Sequence, residues 1–364
     1  MAFLIYFIIY FSCLCLSTRS KTEAINGQVN VWRTPSVYLM LIAFALIIGL
    51  RYMVGKDDPV YLEIVSLGEK HYYYDHLEWI PKKFVDLVHF FNLEFYWWFI
   101  LMAFFQIYFI ARAVRGPLVE AFPWVIFCFL VLYLAFYMNV VRQGAALSCF
   151  LCAATYAQER KLKLYFIFFF LAFLCHRSVI VWFPIYWLLN KELFPNRVVQ
   201  YLILAASSLI LPILIEKLLA LVSPYLELFG YGHQADSFVG DEDIELGSGL
   251  GLILRYIRWG IIIAYYDKLK NYYGAEHFVL LYNLFFVGIC FDYASVFIII
   301  FARVFMYGSF MELIILPYLF NYLLSSPSSK LNAAVFISLL LMLVVSVVYP
   351  FISGGVEWNF VWNS

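Results

Sequence analysis

The sequence predicts an all-α, polytopic integral membrane protein: a single membrane domain over residues 1–364 that crosses the bilayer about twelve times. Three observations carry that prediction. Apolar residues make up 65% of the chain, aromatic residues 21% and charged residues only 13%, with a mean hydropathy of +0.86 that lies outside the range of water-soluble domains. Apolar runs near the ~20 residues needed to cross a hydrocarbon core recur from "MAFLIYFIIYFSCLCLS" to "FISLLLMLVVSVVYPF". No polar stretch between them is long enough to form a separate soluble domain.

Hydropathy places the spans in order at roughly 1–17, 35–50, 95–111, 119–138, 142–157, 163–176, 178–190, 199–221, 250–266, 277–300, 303–324 and 332–352. The first run has no basic residue before it and no clear small-residue cleavage site, so it is expected to be a span with an outside N-terminus and not a removed signal. Loops after the odd-numbered spans hold thirteen of the 24 lysines and arginines, in short segments. The positive-inside rule assigns those loops to the cytoplasm and both termini to the outside. Two longer segments then face outward. Segment 51–94 carries eight acids, five bases and many aromatics, and is expected to be ordered. Segment 223–249, with "GYGHQADSFVGDEDIELGSGLG", is acidic and bounded by glycines, and is expected to be a loop or lid.

The net charge of zero says nothing about partners; how charge is sorted does. Six bases sit in or beside spans and toward their outer ends, against the sorting bias: Arg142, Arg177, Lys217, Arg255, Arg258 and Arg303. Asn139, Arg142 and Gln143 share one helical face by i, i+3, i+4 spacing, followed by the small Ala146; Arg255 and Arg258 are i, i+3, and Arg303 and Tyr307 are i, i+4. An arginine in hydrocarbon costs at least ~2.5 kcal/mol. Each could be explained singly as snorkelling to the headgroups. Four spans delivering arginine to one leaflet favour a shared anionic ligand, since the planar guanidinium fork suits phosphate oxygens.

Two further groups stand out. "CHRSVIVWFPIYW" puts His176, Arg177 and Ser178 at a tight outer turn, where a histidine is ordinarily interfacial but is able to act as a base near neutral pH. Asp57 and Asp58 lie near Arg51 and read either as base or metal ligand, or as a loop ion pair. Tyr72, Tyr73, Tyr74 and Trp79 read first as membrane-interface aromatics and second as platforms for sugar rings. The seven cysteines all fall in apolar runs and read as packing residues. No metal cluster, cofactor motif, nucleotide-phosphate loop or basic nucleic-acid patch is present in the sequence.

The order of "GLRYMVGKDDPVY", "MNVVRQGAA" with "ERK" beyond the span, "CHRSVIVWFPIYW" and "FARVFMYGSF" resembles the EpsG family, Wzy-like polymerases of bacterial surface polysaccharide, from about residue 35 to 325. The family pattern falls on Gly49, Arg51, Gly55, Asp57 and Tyr61, on Asn139, Arg142, Gln143 and Ala146, on His176 and Ser178, and on Arg303. Asp58 stands where that pattern often has an aromatic residue. The resemblance implies a GT-C-like membrane enzyme of the bacterial inner membrane. It implies joining of oligosaccharide repeat units carried on undecaprenyl diphosphate at the periplasmic face, without cofactor or metal and alongside a chain-length regulator. On that reading His176, Asp57 and Arg142 are catalytic, with His176 the first choice of base and Asp57 the second. Arg51, Asn139, Gln143, Ser178, Arg255, Arg258, Arg303 and Tyr307 bind substrate. The alternatives are a flippase of the lipid-linked oligosaccharide, disfavoured by the absence of a visible repeat, and an O-antigen ligase or GT-C-type transferase using the same donor.

Overall fold

A computed structural model of the chain describes residues 2–228, 250–297, 299–325, 329–352 and 360–361. Those residues are all-helical, with one isolated bridge between Arg51 and Phe360. Among them, five helices are long and apolar enough to cross a membrane: Tyr96–Ala113, Phe122–Asn139, Ala275–Asp292, Arg303–Ser325 and Lys330–Val348. Shorter apolar helices accompany them. From residue 229 on, the segment expected as a lid lies outside the described residues.

The chain packs into two units. The first comprises Met1–Tyr186 and Leu313–Ser364. It opens with α1 (Ala2–Gly27) and α2 (Pro35–Gly49), the latter started by Pro35 at its first position. Segment 51–94 is ordered, as expected: α3 (Asp58–Leu67), two 3-10 turns, and α4 (Trp79–Phe90). Helix α5 (Tyr96–Ala113) packs against α2, and Gly49 permits the approach: a Cβ there would lie 2.5 Å from the Cα of Ile100.

The next hairpin sets the site. Helix α6 (Phe122–Cys128) passes through a π turn at Phe129–Tyr133 into α7 (Leu134–Asn139). Val140, with φ −100° and ψ 63°, breaks the helix, and α8 (Val141–Gln158) runs back, Tyr137 Oη meeting Ser148 Oγ at 3.1 Å. From Gln143 to Ala157 α8 is buried on all sides. Its Gly, Ala, Ser and Cys side chains allow that, because small residues let neighbouring helices come close without a hydrophobic driving force.

Helix α9 (Leu162–Cys175) leads to His176. The helix expected over 178–190 is not formed. A 3-10 helix, Arg177–Trp182, and the four-residue α10 (Ile185–Leu188) stand in its place. Pro184 removes one backbone donor and the run Val179, Ile180, Val181 is β-branched, both unfavourable to a continuous α-helix. The return still runs the length of α9: Tyr186 and Arg160 exchange hydrogen bonds, Arg160 Nη1 donating to the Tyr186 carbonyl and Tyr186 Oη to the Arg160 carbonyl at 3.0 Å. A 3-10 helix rises ~2.0 Å per residue against ~1.5 Å for an α-helix. Fewer residues therefore suffice.

The second unit, Trp187–Glu312, contains α11 (Arg197–Leu228), α12 (Leu250–Ala264), α13 (Tyr266–Tyr273), α14 (Ala275–Phe297) and α15 (Ile299–Ser309). Gly288 brings α14 against α15; a Cβ there would stand 2.0 Å from the Ser309 nitrogen. Within the span over Arg303–Ser325 a two-residue turn at Phe310–Met311 separates α15 from α16 (Glu312–Ser325), which from Leu313 on belongs to the first unit. There Phe320 packs on Trp124, and α17 (Lys330–Ile352) lies against the π turn.

Candidate active site

In the first unit the α7–α8 turn is clamped by segment 51–94. Arg51, only 3% exposed, spends its whole guanidinium internally. Nε and Nη2 donate to the Asp58 carboxylate at 3.2 and 3.0 Å, Nη1 to the Ile48 carbonyl at 2.9 Å, and Nη2 also to the Met138 carbonyl at 2.9 Å. Asp58 accepts in addition from the Gly55 N–H at 2.8 Å, and a Cβ at Gly55 would meet the Met138 carbonyl oxygen at 2.7 Å. Asn139 Oδ1 accepts from the Lys56 N–H at 2.6 Å. Arg51, expected to bind substrate, is thus a structural tie. Its buried bidentate pair holds the 51–58 strand of chain onto the turn, and Asn139, also expected at the substrate, pins the same loop.

Arg142 stands one residue inside α8 and faces outward from the buried helix, its side chain 17% exposed. Nη1 reaches Glu78 Oε2 at 2.7 Å, Nε reaches Tyr61 Oη at 3.3 Å, and the rings of Tyr61 and Tyr73 flank the guanidinium at 6.0 and 5.9 Å. Nη2 has no hydrogen-bond partner among the described residues. Burial, offset in part by Arg142, raises the Tyr61 phenol above its ordinary range, so Tyr61 is a neutral donor and acceptor. Asp57, the residue before α3, accepts the Tyr61 backbone N–H at 3.1 Å through its carbonyl and adds its charge to that phenol's surroundings. Its carboxylate is half-exposed and makes no hydrogen bond or ion pair among the described residues. The two adjacent acids are therefore separated in role by geometry: Asp58 is consumed by Arg51 and Gly55, and Asp57 is open.

His176 and Ser178 are brought together. The Ser178 N–H donates to His176 Nδ1 at 3.3 Å, so the imidazole caps the 3-10 helix, and Ser178 Oγ lies 2.7 Å from the same nitrogen. A ring nitrogen that accepts from a backbone N–H is unprotonated, which puts the neutral ring's proton on Nε2. Gln143 is buried within α8.

Arg255, Arg258, Arg303 and Tyr307 belong to the second unit. Arg255 Nη1 pairs with Asp292 Oδ2 at 2.9 Å. Arg258, 5% exposed, forms a bidentate pair with Glu312, through Nε to Oε1 and Nη2 to Oε2, and the Trp259 indole N–H donates to Oε2 at 3.1 Å. Arg303 is exposed and Tyr307 buried on α15. The acids Glu78, Asp292 and Glu312 were not singled out from sequence. The signal was present for two of them: Asp292 and Glu312 interrupt apolar runs, and ionisable residues at such depth pair with one another.

Apolar helices enclosing arginine–carboxylate pairs, with an open Arg142 edge on α8 and an unpaired Asp57 ahead of α3, define a multi-pass membrane protein with a candidate polar site in its first unit. The sequence pattern of the EpsG family matches residues 36–362, and the chain belongs to that family, which comprises Wzy-like exopolysaccharide polymerases. No curated protein and no solved structure matches the chain. Membership carries a general role in polysaccharide biosynthesis as a membrane-embedded polymerase acting on lipid-linked substrates.

Proposed function

We propose that the chain joins oligosaccharide repeat units carried on undecaprenyl diphosphate, at the periplasmic face of the bacterial inner membrane. The observation that carries this reading is the Arg142 site: a guanidinium with a donor edge left open on α8 and an unpaired Asp57 ahead of α3, both acting on Tyr61, at positions on which the family pattern falls. Nη2 of Arg142 and the first-turn N–H groups of α8 supply positive potential where a diphosphate would sit. As the bond between the sugar's anomeric carbon and the diphosphate oxygen breaks, negative charge grows on the leaving group, and fixed donors stabilise that state more than the ground state. Asp57 takes the proton of the acceptor hydroxyl as the new carbon–oxygen bond forms. Undecaprenyl diphosphate and a lengthened polymer are the products. His176 Nδ1 is engaged as a cap, which favours Asp57 as the base and leaves His176 the part of a hydrogen-bond donor. Glu78 and Tyr61 hold Arg142 in place until the donor lipid arrives.

The test is Arg142→Ala, expressed at wild-type membrane level in cells lacking the protein, with the surface glycan resolved by length. Collapse of long polymer to a single repeat is expected. Loss of even the single repeat assigns the chain to export of the lipid-linked unit, polymer retained but detached from its lipid acceptor assigns it to a ligase, and an unchanged ladder removes Arg142 from the site. Arg303→Ala, read the same way, tests the family-implied role of the second unit.

A further inference from the structure

At the opposite end of the first unit from His176, cations and aromatic rings alternate. Arg33 lies over the Trp32 ring at 4.7 Å and Arg112 over the same ring at 4.3 Å. Arg112 also lies 5.2 Å from the Phe168 ring, Phe168 stacks on Tyr156 at 5.0 Å, and Arg115 covers Tyr156 at 3.8 Å. The ladder is assembled from the α1–α2 connection, the end of α5, the end of α8 and the middle of α9. It is rich in charge: stretches 19–36, 112–120 and 159–163 hold eight lysines or arginines against three glutamates.

The pairing pattern here differs from that elsewhere in the unit. Arg51 and Arg142 each meet a carboxylate, and at the far end of the ladder Arg115 and Lys161 share Glu159 at 2.8 Å each. The side chains of Arg33 and Arg112 make neither an ion pair nor a hydrogen bond among the described residues. Arg33 is exposed, while Trp32 and Arg112 are half-buried. Stacking occupies the faces of a guanidinium and leaves its in-plane N–H donors pointing outward. Such donors match phosphate oxygens. They also sit where the apolar runs of α2, α5 and α9 meet their polar flanks, which is headgroup depth.

We infer that the Arg33–Trp32–Arg112 stack is a binding site for the phosphate of an acidic phospholipid headgroup, separate from the Arg142 site and independent of the polymerase reading. The lysine and arginine excess puts this end on the cytoplasmic side, whose leaflet presents anionic lipid. Seating a headgroup there fixes the ends of α2, α5, α8 and α9 against the bilayer.

The experiment uses the full-length protein in nanodiscs of phosphatidylcholine doped with phosphatidylglycerol or cardiolipin, with retained lipid counted by native mass spectrometry after gentle release. Wild type is expected to retain acidic over zwitterionic lipid. Arg112→Gln and Arg33→Gln are each expected to weaken that preference about fivefold, the equivalent of the ~1 kcal/mol a basic residue contributes at an anionic surface. Exposed Arg33 keeps the test informative if Arg112→Gln fails to fold, and Lys163→Gln, outside the stack, is the control. Equal retention of both lipid classes by wild type overturns the inference, as does an equal loss in Lys163→Gln, which would mean diffuse attraction. Displacement of the retained lipid by millimolar inorganic pyrophosphate would assign the site to a soluble phosphate and overturn the lipid assignment.

Discussion

Arg51, Arg142, Arg255 and Arg258 show at the scale of single residues how an arginine is tolerated among apolar helices. Each faces a carboxylate, at Asp58, Glu78, Asp292 and Glu312. A partner does not make them equivalent. Arg51 and Asp58 are almost wholly buried, 2% and 4% exposed at their side chains, and breaking such a pair strands a charge at a cost of about 3–5 kcal/mol. Asp58→Asn should therefore reduce the yield of folded protein and lower its melting temperature in detergent. Asp57→Asn should do neither, yet abolish elongation with single repeats still exported. A melting temperature that falls for Asp57→Asn and holds for Asp58→Asn would exchange the two roles. Glu78→Gln keeps a hydrogen bond to Arg142 while removing the charge, and is expected to alter polymer length or rate without unfolding the protein, read from the same glycan ladder.

Between elements, close approach and connector anchoring decide what the helices tolerate. Gly288→Ala would push a methyl against the backbone of Gly308 and Ser309, and Gly49→Ala would do so against Ile100. Backbone cannot rotate aside, so overpacking of roughly 1–3 kcal/mol is expected at each, visible as a lower melting temperature. The connector before α11 is held differently. The Asn283 side-chain amide donates to the carbonyls of Leu189 and Lys191, and Glu192 accepts from Lys270 Nζ at 2.6 Å and Tyr266 Oη at 2.7 Å. Those hydrogen bonds, Lys270 first, hold the Glu192 carboxyl below its ordinary value of 4.5. Because the folded value is the lower one, its stabilisation is full above about 4.5 and is lost as pH falls through the depressed value. Glu192→Gln should flatten the acid limb of a melting-temperature profile; an unchanged limb would remove this contact from the acid response.

For the whole molecule, class and family were legible in composition and motif order, because hydrocarbon imposes long apolar helices and excludes unpaired backbone. Five of the spans that hydropathy places coincide with helices long and apolar enough to cross a membrane among the described residues, since apolar length is a local property of the chain. Hydropathy reads 178–190 as one helix because it does not register the proline and β-branched run, and the structure has the 3-10 helix Arg177–Trp182 and the short α10 there. The candidate site was legible by residue type at Arg142 and the aspartate pair, whereas the loop-pinning contact of Asn139 was not. Partners were not: Glu78 lies 64 positions from Arg142 and Glu312 lies 54 from Arg258, and nothing local in the sequence joins them. By itself the sequence determined that this is a membrane-embedded member of a polymerase family with costly cations in its spans. Only the tertiary structure decided which aspartate is tied and which is open, which nitrogen of His176 is engaged, and which arginines lack an acid, because those depend on contacts between segments far apart in the chain.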